Sequence, residues 1–203
     1  MKTLIINGST KKNGDTSTLI DEFQKFLKGE VKTISCSGNI SPCRDCRYCW
    51  TNSGCCIEDE MQEIYPFLDE CENVVLASPI WFSSLSGPLL NIASRFQTLF
   101  AAAYFRKEQK AVKQKNGVIL LVGAEKGTEV IPTQNALTIM KFMNVKRPCI
   151  ATVYSLDTNN TPVEKDRTAI KKAHEAALLL NRLCDNNLDC ESFSFTDDSK
   201  EIT

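Results

Sequence analysis

Two hydrophobic rhythms alternate along the chain. Short unbroken apolar runs give way to stretches in which apolar residues recur every three or four positions, the patterns of buried strands and amphipathic helices. The first run, KTLIIN from Lys2 to Asn7, stops at Asn-Gly and predicts a strand closed by a turn. Leu19, Ile20, Phe23, Phe26 and Leu27 then share one helical face, which Gly29 ends. Val31 to Cys36 reads as the second strand, and a helix is expected from about Asp59 through Met61, Ile64, Tyr65 and Leu68. Asn73 to Ala77 (NVVLA) is the third strand, with Ser78 to Gly87 as a loop behind it. One helix is expected from Pro88 through Leu89, Ile92, Phe96, Leu99 and Phe100. Gly117 to Gly123 (GVILLVG) predicts the fourth strand, Thr128 to about Met143 a helix, and Pro148 to Tyr154 the fifth strand. Thr161-Pro162-Val163-Glu164 has the form of a capping box that opens the last helix. Its buried stripe would be Ile170, Ala173, Ala177, Leu180 and Cys184.

Five apolar strands alternating with helices predict a parallel sheet covered on both faces, an α/β doubly wound fold. The 203 residues suit one domain, residues 1–203, with a polar tail from about residue 187. Composition sharpens the class without changing it. Hydrophobic residues make up 42% and charged residues 24%, and the net charge of −1 favours no nucleic-acid partner. The apolar run in MKTLIING is too short for a signal peptide, and no stretch approaches the roughly 20 residues of a membrane span. The expected location is therefore the cytoplasm, with no membrane partner. Thiols stay reduced there.

That matters because the chain has ten cysteines, and five of them fall between Pro42 and Cys56 in PCRDCRYCWTNSGCC. Cys43, Cys46, Cys49 and Cys55 follow the C-x-x-C-x-x-C spacing with a fourth cysteine soon after, a pattern used for iron–sulfur ligation. Structural zinc and a set of unligated thiols are the alternatives, although zinc sites usually come as two separated pairs. Cys36, Cys71, Cys149 and Cys184 lie in or beside apolar segments and read as packing residues. Cys190 sits in the polar tail and says little.

In a doubly wound sheet, ligands bind beyond the carboxyl ends of the strands. Strand one leads into Gly8 to Ser17, rich in Gly and hydroxyls, which can offer backbone N–H groups to a phosphate at a helix N-terminus. It lacks both the P-loop ending and the dinucleotide fingerprint. Strand three leads into SPIWFSSLSG, whose Trp81 and Phe82 either pack on the core or wall a flat ligand. Strand four leads into Gly123-Ala124-Glu125-Lys126-Gly127, where backbone can approach a ring edge. Flavin mononucleotide fits a phosphate loop, an aromatic wall and a glycine loop on one edge.

With NGSTKKNGDTS, PCRDCRYCWTNSGCCIEDEM and SPIWFSSLSGPL in this order, the chain resembles the flavodoxin-like NADPH-dependent FMN reductases, and more closely their iron–sulfur flavoprotein branch. The resemblance covers Met1 to about Tyr154 and implies a flavodoxin-like five-stranded sheet of order 2-1-3-4-5, with the cysteine-rich loop 42–57 after strand two. It implies that Ser9, Lys11, Asp15, Thr16 and Ser17 form the FMN phosphate loop. Pro79, Ile80, Trp81, Phe82 and Ser83 would run along the isoalloxazine, and Gly123, Ala124 and Glu125 beside its polar edge. Cys43, Cys46, Cys49 and Cys55 would ligate a [4Fe–4S] cluster, with Cys56 a bystander where the family usually has an aliphatic residue. Asp15 stands where the family often has Asn, and Ser94-Arg95 where it commonly has Asp-Arg. A carboxylate at position 15 would repel a phosphate unless it turned away, for instance to cap the helix.

The function implied is electron transfer through FMN from NAD(P)H or a one-electron carrier such as ferredoxin. The acceptor would be a quinone, a nitro or azo compound, a metal ion or oxygen. The alternatives are a ferredoxin-linked flavoprotein that does not use NAD(P)H, and a four-cysteine metal-binding interaction domain that has lost its flavin. His174, the only histidine, is expected to be structural. Arg106, Lys107, Lys110, Lys113 and Lys115 read as a solvated helix end. Phe96, Leu99, Phe100, Tyr104 and Phe105 exceed what one helix face needs and suggest a homodimer or homotetramer interface, as the resemblance implies.

Overall fold

The computed structural model describes residues 1–108 and 113–185, with backbone alone at 147–150. Its elements run β1 (Lys2–Asn7), α1 (Asp15–Gln24), β2 (Glu30–Ser35), α2 (Tyr48–Thr51), α3 (Met61–Glu70), β3 (Asn73–Trp81) and β4 (Ser84–Leu85). There follow α4 (Gly87–Ser94), α5 (Gln97–Tyr104), β5 (Lys115–Gly123), α6 (Val130–Phe142), β6 (Val145–Leu156), a 3₁₀ turn (Val163–Lys165) and α7 (Arg167–Asp185). The main sheet has the order β2-β1-β3-β5-β6 and is parallel throughout. This is the flavodoxin-like arrangement, with β4 added as a two-residue antiparallel partner of β3. Strands β1, β3 and β5 are therefore neighbours, and their loops share one edge.

Period-two alternation within the apolar runs divides the core between the two faces. Ile5, Val75, Ala77, Val118 and Leu120 point to the face covered by α1 and α7. Leu4, Ile6, Val74, Leu76, Ile119 and Leu121 point to the face covered by α3, α4 and α6. The runs are unbroken because both faces of the sheet are dry. Each such side chain contributes about 1.5–3 kcal/mol when fully buried. Among the described residues no helix is long and apolar enough to cross a membrane.

The structure amends several expectations. The single helix expected from Pro88 to Phe100 is two helices, α4 and α5. Arg95 N–H and Phe96 N–H bond back to Ile92 O and Ala93 O, tightening the end of α4 into 3₁₀ geometry so that both side chains turn inward. The loop expected from Ser78 to Gly87 is a continuation of β3 and a tight hairpin, closed by Ile80 opposite Leu85 and Trp81 opposite Ser84. The last helix begins at Arg167 instead of the Thr161 box. Asp15 Oδ1 accepts Val163 N–H (2.9 Å), and Asp166 Oδ1 caps α7 through Ala169 N–H (2.9 Å). Within α7, Ala173, Ala177 and Leu180 are buried as expected, but Ile170 and Cys184 are only half-buried. Cys71 is buried as expected, Cys36 only partly, while the Cys149 side chain and Cys190 lie outside the described residues.

The basic stretch is not a solvated helix end. Lys115 is 1% exposed, opens β5 and donates to Lys113 O at 2.7 Å, and burial lowers its pKa. Lys113 pairs with Glu72, and Lys107 is exposed. Lys110 lies outside the described residues. His174 is structural, its Nε2 3.1 Å from Glu22 Oε2 and its ring against Phe26.

Candidate active site

The loop after β1 is shaped by close packing. Gly8 N–H donates to Ala77 O (2.8 Å), and Gly8 O accepts from Ser86 Oγ (2.7 Å). A Cβ on Gly8 would stand 2.7 Å from Leu89 Cβ and 2.9 Å from Ser86 Oγ, so α4 comes this near only because residue 8 has no side chain. Ser86 also accepts from Leu89 N–H (3.2 Å), capping α4 while it holds the loop. Its place before Gly87-Pro88 was a readable cap signal.

Beyond Gly8, the loop folds around one carbonyl. Ser9 Oγ and Ser17 Oγ each donate to Lys11 O at 3.3 Å, and Ser9 Oγ accepts Lys11 N–H. The first intrahelical bond of α1 runs from Thr18 N–H to Gly14 O, and Gly14 brings no capping side chain. The N–H groups of residues 15–17 thus have no intrahelical acceptor, and a helix start in this state is an anion site. A hydroxyl has one hydrogen. Ser9 and Ser17 must each release Lys11 O to donate to a phosphate, whereas the backbone N–H groups need no exchange. Thr16 is buried beneath the loop. Asp15 does not oppose an anion, because its carboxylate is turned to Val163 N–H; it points away as the phosphate requires, but not as a cap of α1.

On the neighbouring strands, Pro79 and Ile80 end β3 half-buried, while Trp81 is 43% exposed and Phe82 fully exposed. Phe82 (φ 51) and Ser83 (φ 53) both hold left-handed backbone at the hairpin tip, a strained choice for a bulky residue. Neither aromatic packs on the core. Gly123 lies between Ile80 Cδ1 and Leu156 Cδ2, each 3.2 Å from the position of an added Cβ, while Ala124 and Glu125 are exposed. The three expected FMN segments therefore meet on one edge, over β1, β3 and β5. The uncapped helix start fits an FMN phosphate.

The cysteine loop leaves that edge from β2 but is fastened to the far end of α4. Cys43 N–H donates to Ser94 Oγ (2.9 Å). Arg95, 1% exposed, donates to both Asp59 carboxylate oxygens (2.5 and 3.1 Å), to Ser41 O (2.9 Å) and to Ile57 O (3.3 Å). Burial alone would raise the Asp59 carboxyl, but Arg95 and the N–H groups of Ser41 and Met61 outweigh it and hold the carboxyl below its usual range. Ser94 takes a structural place in the loop, and Asp59 supplies the carboxylate that the Ser94-Arg95 pair lacks. Trp50 stacks on Phe105 with centroids 4.0 Å apart, Arg47 lies 4.7 Å over Trp50, and Arg106 donates to Cys49 O. Sequence reasoning met Ser94-Arg95 only as a departure from the family pattern and Asp59 only as a helix start. It did not pair Arg95 with Asp59, and it passed over Trp50. The signal for Arg95 was a charge set inside the apolar stripe of Ile92 and Phe96.

Cys43, Cys46, Cys49, Cys55 and Cys56 line one pocket, together with Arg95 and Thr98. Burial, then the neighbouring Cys43, Cys55 and Cys46, push the Cys49 thiol up. Arg95 Nε is buried without a hydrogen-bond partner beside this pocket. Among the described residues no three Cys, His, Asp or Glu side chains converge on a single metal ion. A cluster, whose thiolates each bind a different iron, asks for a wider ring than one ion does. A pocket lined by these sulfurs and by a guanidinium with an unpartnered N–H suits such a group. Cys56, outside the expected ligand set, has its Sγ 3.5 Å from Cys46 Sγ.

Comparison with known proteins settles the lineage. The family model described as NADPH-dependent FMN reductase matches residues 1–157. The chain belongs to that family, in its iron–sulfur flavoprotein branch. It is 30% identical over 138 residues to an iron–sulfur flavoprotein of Archaeoglobus fulgidus, covering 66% of this chain and 68% of that one. It is 27% identical over 130 residues to one of Methanosarcina thermophila, covering 62% and 65%. Among solved structures, the fold matches an NAD(P)H:quinone oxidoreductase from Methanothermobacter marburgensis with a TM-score of 0.66 at 11% identity, over 89% of this chain and 97% of that one. It also matches an FMN-dependent NADH-azoreductase from Bacillus anthracis in complex with FMN, with a TM-score of 0.58 at 14% identity, over 90% and 99%. As a member of the FMN reductase family, the protein is a flavin oxidoreductase.

Proposed function

We propose that this reductase couples FMN to a [4Fe–4S] cluster and passes electrons on to a small oxidised acceptor such as a quinone, a nitro or azo compound, or oxygen. One observation carries the reading. Helix α4 is tied at its start to the phosphate loop, through Ser86 and Gly8, and at its end to the cysteine loop, through Ser94 and Cys43. The eight residue steps from Ser86 to Ser94 span about 12 Å along the helix axis, so the two proposed centres would lie near one another without contact. FMN, when bound, supplies both hydride and single-electron chemistry.

The chain's own residues do the rest. The N–H groups of residues 15–17, with Ser9 and Ser17, hold the phosphate, and Lys11 adds positive charge nearby. Trp81 and Phe82 offer ring faces, and the backbone of Gly123 to Glu125 approaches the polar edge. Cys43, Cys46, Cys49 and Cys55 would hold the cluster, with the Arg95 Nε–H, left over from the Asp59 pair, available to a sulfur beside it. NAD(P)H is the donor that the family description suggests, and a ferredoxin-like protein is the one-electron carrier that a cluster would serve. The reading of a metal-binding module that has lost its flavin rested on Asp15, and Asp15 is turned away to Val163.

The visible spectrum of anaerobically purified protein tests this directly. Two resolved flavin bands with broad brown absorbance across and beyond them are expected. Protein that stays colourless after FMN addition and iron–sulfide reconstitution would end the proposal. A second copy of the chain is the proposed cover for Tyr104 (69% exposed), Phe105 and Phe142, since Phe100 gathers these rings into one patch. Sedimentation should then give a mass above the monomer; a monomer at every concentration would refute it.

A further inference from the structure

Cys56 has no place in the four-ligand set, yet its Sγ stands 3.5 Å from Cys46 Sγ and both side chains are exposed. Among the described residues no other sulfur–sulfur hydrogen bond is seen. The approach is built into the backbone. Asp45 (φ 49) and Arg47 (φ 60) hold left-handed conformations on either side of Cys46, a costly arrangement for residues with a Cβ. It persists because Arg47 is fixed over the Trp50 ring and Cys49 O is held by Arg106. Cys46 is thus aimed at Cys56 by a constrained turn.

We propose that Cys46 and Cys56 form a reversible dithiol–disulfide couple, a modification site that competes with loading of the cysteine pocket. A disulfide has an S–S distance of about 2.05 Å. The sulfurs must therefore close by about 1.5 Å. The oxidant is a low-molecular-weight disulfide, R–S–S–R. The Cys46 thiolate attacks one of its sulfurs, forming a mixed disulfide and releasing RS⁻. The Cys56 thiolate then attacks Cys46 Sγ, forming the protein S–S bond and releasing a second RS⁻. Two electrons pass from the protein to the small disulfide, and the two thiol protons go to the departing thiolates. An added dithiol reverses both steps.

Once bonded to Cys56, Cys46 Sγ is no longer a thiolate, and three sulfurs remain for iron. This consequence rests on the proposed cluster; the couple itself does not. Cys56 then acts as a resolving residue that decides whether the pocket can be filled.

The test uses the full chain, reduced and stripped of metal, then exposed to oxidised glutathione. Peptide mapping under non-reducing conditions should find one crosslink, joining Cys46 to Cys56, with fragment ions separating Cys56 from Cys55. Cys56→Ser should lower the crosslink at least roughly tenfold and leave Cys46 as a mixed disulfide with glutathione. Cys55→Ser should retain the crosslink. A crosslink spread over Cys43, Cys49 and Cys55, or one that survives Cys56→Ser, overturns the couple. In a second arm, ferrous iron and sulfide are added to the oxidised and the reduced chain. The oxidised chain should take up roughly tenfold less iron, and dithiothreitol should restore uptake. Equal uptake in both overturns the competition. No uptake in either overturns the cluster reading alone and leaves the couple to the crosslink result.

Discussion

Replacing Asp59 by alanine is expected to destabilise the protein by about 3–5 kcal/mol, the usual consequence of stripping one partner from a buried ion pair. The Arg95 side chain is 0% exposed and Asp59 5%, so the guanidinium left behind has no water to turn to. Asp59 also accepts from Ser41 N–H and Met61 N–H, and its loss frees both the entry to the cysteine loop and the start of α3. Against a total stability of about 5–15 kcal/mol, urea unfolding should show a large drop in midpoint. The double variant Asp59→Ala/Arg95→Met should recover much of the loss, because it removes the unpaired charge as well. A double variant no better than the single one would show that the pair acts through shape and not charge.

The same residue gives the chain an acid-sensitive step. The folded Asp59 carboxyl lies below its ordinary value of 3.8, so its contribution is complete above that pH and is lost as pH falls through the lower folded value. Glu70, held low by Lys2, and Glu22, held low by Lys25 and His174, act in the same direction from the surface. Asp59→Ala should therefore flatten the fall in stability below about pH 4 without abolishing it. An unchanged slope would place the acid sensitivity elsewhere.

Substituting Gly8 with valine is expected to damage both the fold and FMN binding. Its Cβ would stand 2.7 Å from Leu89 Cβ and 3.1 Å from Ala77 O, atoms tied to a helix and a strand that cannot give way singly. Overpacking of this kind costs about 1–3 kcal/mol. The strain falls on the Ser86–Gly8 bond that joins α4 to the phosphate loop, so the N–H groups of residues 15–17 lose their alignment as well. FMN affinity, read by quenching of flavin fluorescence on titration, should fall roughly tenfold or more, since 1.4 kcal/mol corresponds to a factor of ten. Wild-type affinity with a wild-type unfolding midpoint would contradict the close approach.

Most strands were legible because each is an apolar run dry on both faces, which leaves the pattern little freedom. The hairpin at Phe82-Ser83 was not. Neither residue advertises a turn, and their positive φ values are tolerated only because the β3–β4 pairing closes around them. The break between α4 and α5 was equally hidden. Apolar periodicity runs straight through Arg95, and the residue that turns it inward is Asp59, 36 positions earlier. The phosphate loop could be read from its Gly and hydroxyl content, but the direction of Asp15 depends on Val163 N–H, 148 residues away.

The sequence by itself determined the alternation of strands and helices, the edge on which FMN would bind, and the cysteine spacing that suggests a cluster. Each of those is local: periodicity, turn chemistry and residue type within a few positions. Only the tertiary structure decided that α4 ties the loop after β1 to the cysteine loop, that Arg95 lies unpartnered at Nε beside the thiols, and that Cys56 meets Cys46. The α4 contacts join residues 78 and 51 positions apart and are set by which faces must be buried together. The Cys46–Cys56 approach depends on left-handed backbone at Asp45 and Arg47 that spacing does not record.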